Sequence, residues 1–128
     1  MLGGCGAGPV DAQVFGGKTA LISGGDGEAT TQLTGVVSTT KRGCLGLLME
    51  GATEPVPMIW PESSELNNDG TSLNVPQAGV VRVGQSIEGD GSEVSELDDD
   101  RYAEVPEVCR GEGRLIDAAA ITKARNPQ

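Results

Sequence analysis

A chain of 128 residues that is 37% apolar is long enough for one buried core, and its net charge of -10 repels phosphate backbones and anionic membrane surfaces, which disfavours nucleic acid as a partner. It contains no histidine, so the usual proton carrier near neutral pH, the commonest metal ligand and the Ser-His-Asp and Cys-His arrangements are all removed. No stretch approaches the roughly 18 apolar residues of a membrane-spanning helix.

Residues 1–33 are rich in Gly, Ser, Thr and Ala, and the one compact apolar cluster is Thr19 to Ile22. Such a composition reads as a flexible tether carrying a short strand at Lys18 to Ser23, because it cannot offset the entropy of ordering. From residue 34 to 122 the pattern is that of a β domain, with 123–128 as a tail. "LTGVVSTTKRG" and "CLGLLMEG" are strand-length runs joined through Lys41, Arg42 and Gly43. "TEPVPMIWP" is a third strand with Val56, Met58 and Trp60 on one side; its prolines confine it to an edge or a short pairing. Asn68, Asp69 and Gly70 then form a turn.

"TSLNV" supplies a fourth strand through Leu73 and Val75, and "AGVVRVGQSI" a fifth through Val81 and Val83, with Gly84 suited to a bulge or turn. The segment "EGDGSEVSELDDDRYAEVPE" reads as a solvated acidic excursion. "VCRGEGRLIDAAAITKA" closes the sheet as a strand over Arg114 to Ile121, or forms one short helix through its alanines. Five or six short strands with turns between them predict an all-β fold, an OB-like barrel with a β-sandwich as the alternative.

The three cysteines are Cys5, Cys44 and Cys109. Cys44 and Cys109 belong to no CxxC pair and have no histidine beside them, so a disulfide is the reading, with two separate buried thiols as the other possibility. A bridge implies an oxidising compartment. Cys5 is then left over. Leu2, Gly3, Gly4 and Cys5 resemble the lipobox of bacterial lipoproteins, in which the cysteine is lipidated and becomes the mature N-terminus. That resemblance implies a basic and apolar leader upstream of Met1, and a membrane anchor through lipid on Cys5. The series "GCLGL", "PVPMIWPE", "DGTSLNVPQAGVVRVGQSIEGDG" and "VCRG" is similar to small extracytoplasmic proteins of actinobacteria, a likeness that implies export and the disulfide without assigning an activity.

Clustered carboxylates at Glu88, Asp90, Glu93, Glu96, Asp98, Asp99 and Asp100 offer oxygens to a hard cation, with Asp90, Glu93 and Glu96 as the metal candidates. The EF-hand order does not occur, so a solvated acidic loop is the expectation. "GGDGE" and "GDG" lack the residues of a phosphate cradle and read as turns. Trp60 is a candidate for lining a ligand groove, although one tryptophan among alternating apolar residues fits a core. Together these readings predict a non-enzymatic module of the cell envelope, lipid-anchored or secreted. It needs no cofactor and has an envelope protein or glycan as partner. The alternative is a carboxylate-based enzyme acting on envelope glycans, which requires two acids facing across a cleft.

Overall fold

Residues 9–25, 30–97, 100–110 and 113–125 are described by a computed structural model. In chain order the strands are β1 (Asp11–Phe15), β2 (Lys18–Ile22), β3 (Thr31–Thr39), β4 (Leu45–Met49) and β5 (Val56–Trp60). β6 (Glu65–Leu66), β7 (Ser72–Val75), β8 (Gly79–Arg82), β9 (Ser86–Val94) and β10 (Leu115–Arg125) follow. A 3-10 turn at Asp100–Tyr102 and the single-turn helix α1 (Glu107–Arg110) lie between β9 and β10.

Five strands close on themselves. β3 pairs with β4, β4 with β5, β5 with β10, β10 with β9 and β9 with β3, and only the β5–β10 contact in that ring is parallel. Closure leaves these five strands without an open edge, and the order of connections is that of a small OB-like barrel. β1 and β2 extend the same sheet through β2, which runs parallel to β5. β6, β7 and β8 form a separate antiparallel sheet, not the fourth and fifth barrel strands expected from the sequence. Those places belong to β9 and β10.

The first seven residues of the acidic stretch expected to be a solvated excursion, Glu88 to Val94, are therefore strand. Its inward positions are Ile87, Gly89 and Gly91, all buried, while Asp90 faces solvent. An added Cβ at Gly89 or Gly91 would lie 2.2 Å from the Ala120 carbonyl or 2.3 Å from that of Asp117. The strand thus fits only because glycine lets it approach β10 closely.

β2, β5 and β10 are apolar on both faces, and each face has its own cluster. Ala20, Ile22, Met58, Trp60, Ile116 and Ala118 join the barrel core, where the β6–β8 sheet adds Leu66, Leu73, Val75 and Val81. Leu21, Ile59 and Leu115 face the other way, packing with Val10, Tyr102, Val105 and the two half-cystines. Double burial accounts for the runs "TALI", "MIW" and "LI", which lack alternation.

Two more boundaries need correction. The expected tether over 1–33 includes β1 and the start of β3 besides the short strand expected at Lys18 to Ser23, which is β2, and the expected tail from 123 is strand as far as Arg125. Burial of Leu21 and Ile22 against β5 and the 100–110 segment supplies the ordering energy that local composition lacks. Pro57 within β5 and the flanking Pro55 and Pro61 are accommodated by pairings only two residues long, to β4, β10 and β2 in succession, and the strand is central and not an edge. The final segment is strand, not helix.

Candidate functional site

The disulfide Cys44–Cys109 spans 65 residues and joins Cα atoms 5.6 Å apart. Both half-cystines are fully buried. Cys44 closes the β3–β4 connection, donating its N–H to Thr40 Oγ1 at 3.1 Å and accepting from the Thr40 N–H at 2.8 Å. Cys109 sits in α1, within the long β9–β10 connection. The bridge therefore ties the two connections that flank the binding face in OB-type barrels.

A pocket of about 500 Å³ lies where those connections meet. Thr40, Lys41 and Arg42 line it from the β3–β4 side, and Val108 and Arg114 from the β9–β10 side. The β4–β5 connection completes it with Thr53, Glu54 and Pro55, followed by Val56 and Pro57 at the start of β5. Its volume is within the ~300–1,000 Å³ of ordinary small-molecule sites. Arg114 makes an exposed ion pair with Glu93 at 3.4 Å.

A larger, more open groove of about 910 Å³ runs between β1 and the β6–β8 sheet. Val14, Phe15 and Val80 line it as exposed apolar side chains, together with Gln13, Asp69 and Arg82. The tip of the β1–β2 hairpin packs against the turns at Gly43 and Gly70, next to lining residues of the two cavities. An added Cβ at Gly43 would lie 2.8 Å from the Gly17 carbonyl, and one at Gly70 2.7 Å from that of Phe15, so the hairpin presses on both turns. Asp69 accepts from the Thr71 N–H at 2.9 Å and the Ser72 N–H at 3.1 Å, and chiefly the first of these holds its pKa below the ordinary 3.8.

Behind the disulfide lies a buried polar network. Arg101 donates from Nε and Nη2 to the two oxygens of Asp117 at 3.0 and 3.1 Å, and from Nη2 to Ser23 Oγ at 3.0 Å. Tyr102 donates to Asp117 at 3.3 Å. Burial opposes the charge on Arg101, and the hydrogen bonds and charge of Asp117 outweigh it, so its pKa is raised. The network joins β2, β10 and the 100–110 segment, which also accepts the Val10 N–H at the Arg101 carbonyl.

Comparison with family models, with curated proteins and with solved structures finds no match.

Cys44 and Cys109 meet as expected. Trp60 is wholly buried in the barrel core and lines neither cavity, which removes it as a groove residue. Asp90 and Glu93 stand on β9 and Glu96 just beyond it, and among the described residues no group of three or more acids, cysteines or histidines is arranged to hold a metal ion. Cys5, Asp98 and Asp99 lie outside the described residues. Sequence reasoning assigned Lys41 and Arg42 only to a turn and Arg114 to a strand start. Their joining is a property of the disulfide and the barrel closure, and the one signal pointing to it was the pairing of Cys44 with Cys109.

Proposed function

We propose that this chain is a non-enzymatic binding module of the cell envelope, exported and held to the membrane by lipid on Cys5 or released as a secreted domain. Its partner is an envelope glycan or protein, met at the loop end of the barrel. The observation that carries this reading is the buried Cys44–Cys109 bridge, because structural disulfides persist in oxidising compartments and are rare in reducing ones. The "LGGC" run supports the anchor, and a net charge of -10 disfavours a nucleic-acid role for this OB-like barrel.

The engagement of Asp69 and Asp117 favours the binding role over glycan hydrolysis. A retaining or inverting hydrolase needs one acid kept protonated by its surroundings. In the larger groove Asp69 is shifted the opposite way by its backbone donors, and Asp117 commits both oxygens to Arg101. Metabolic labelling of the full gene product with an alkyne fatty acid tests the anchor. Incorporation that disappears in Cys5→Ala is the expected result; a labelled Cys5→Ala protein, or a protein that remains unlabelled and inside the cytoplasm, contradicts the reading.

A further inference from the structure

We infer that the pocket bounded by Lys41, Arg42 and Arg114 is a binding site for a small sugar acid, whose single carboxylate is held by these cations. The inference rests on the envelope-binding reading above and names its ligand class.

Charge distribution is the first support. The chain carries 9 Lys and Arg against 19 Asp and Glu, yet three of those cations line one pocket in which Glu54 is the sole carboxylate among the described residues. A local positive site in a negative molecule selects for one anionic group and against a polyanion, since every further charge on a polymer meets the surrounding negative field. Arginine supplies a planar fork that matches a carboxylate in two hydrogen bonds.

Construction of the site is the second. Arg42 lies two residues before Cys44, and Val108 directly precedes Cys109, so the bridge ties the Lys41–Arg42 rim of the pocket to its Val108 side. Holding the rims in place before binding removes part of the ordering cost that a ligand otherwise meets. The pair Arg114–Glu93 is 53% and 55% exposed, a weak contact that a ligand carboxylate can replace without leaving a buried charge behind.

The rest of the lining suits a hydroxylated ring. Pro55 and Pro57 present C–H surface to one face of a sugar, and Glu54 accepts hydrogen bonds from its hydroxyl groups. The groove beside β1 lacks this convergence, having Arg82 as its one cation against Glu65 and Asp69.

Titration calorimetry of the oxidised protein tests the assignment with D-glucuronate, D-glucose, inorganic phosphate and a glucuronate polymer as separate ligands. Glucuronate is expected to bind, with glucose and phosphate each at least about tenfold weaker and the polymer no tighter per sugar than the monomer. The double variant Arg42→Ala/Arg114→Ala is expected to lose about tenfold or more in glucuronate affinity, the equivalent of one charge-assisted hydrogen bond. Both side chains are exposed, and an unchanged unfolding transition followed by Trp60 emission shows that the variant keeps its fold. Absence of glucuronate binding, equal binding of glucose or phosphate, tighter binding of the polymer, or an unaltered double variant overturns the proposal. Fatty-acid labelling at Cys5 is independent of these readouts, so loss of the ligand leaves the envelope address standing and loss of the label leaves the ligand.

Discussion

Replacing Cys44 and Cys109 together by alanine perturbs the fold at its longest covalent constraint. The bridge closes a segment with a sequence separation of 65. On the chain-entropy model, opening a loop of that length costs about 4 kcal/mol at room temperature, and trimming two buried sulfurs adds up to about 1 kcal/mol in the same direction. For a domain whose total stability is of order 5–15 kcal/mol, the variant stays folded with a much reduced margin. Urea unfolding is the assay, because Trp60 is the sole tryptophan, is fully buried and changes its emission when the barrel opens. With a slope of about 2 kcal/mol per molar urea, the midpoint falls by about 2 M. Single replacements should each cost nearly as much as the pair, since either one removes the crosslink. A double variant destabilised by less than about 1 kcal/mol would refute the assignment of about 4 kcal/mol to the bridge.

Three other outcomes follow from the packing. Gly91→Ala places a Cβ 2.3 Å from the Asp117 carbonyl and should cost about 3 kcal/mol or more, whereas Gly51→Ala, in open space at φ 84°, should cost about 1 kcal/mol. Equal thermal midpoints for the two variants would contradict the close approach of β9 to β10. Asp117→Ala removes the carboxylate partner of a buried guanidinium and should cost about 3–5 kcal/mol, part of which Arg101→Met restores in the double variant; additive losses in that cycle would deny the coupling. Tyr102, the sole tyrosine, has its pKa raised above 10.0 by burial first and by the charge of Asp117 second. The folded state therefore keeps the phenol protonated where the unfolded chain ionises, and stability declines as pH rises from about 10 through the folded value. Phenolate absorbance titrating at or below 10.0 in the folded protein would contradict this.

The strands that alternate or carry β-branched runs were legible in the sequence: β3, β4, β5, β7, β8 and β10 all lie where the apolar residues put them. The turn at Asn68 to Gly70 was legible too, since Gly70 adopts φ 71° and donates to the Asn67 carbonyl at 3.0 Å. β9 was hidden because Gly89 and Gly91 replace the apolar half of its period, leaving the acidic half to dominate the reading. β1 was hidden because its strand is largely exposed and pairs only with β2, and β2, although expected as a short strand, was taken for part of a tether. The burial of β2 comes from partners about 40 and 80 residues away, at β5 and at Arg101, which no local window contains. Of the candidate site, the disulfide was readable from the cysteine count, and the pocket it organises was not. Lys41, Arg42 and Arg114 are separated by some 70 residues, and they meet only because β10 returns beside β5.

The assignment of the basic pocket as the place where an acidic sugar lands is open to direct mapping. Amide chemical-shift mapping of the oxidised protein titrated with glucuronate should perturb Lys41, Arg42, Val108 and Arg114, leave Gln13, Phe15 and Arg82 unmoved, and lose amplitude in Cys44→Ala/Cys109→Ala. Perturbations centred on the groove beside β1, or an unchanged response once the bridge is gone, would contradict it.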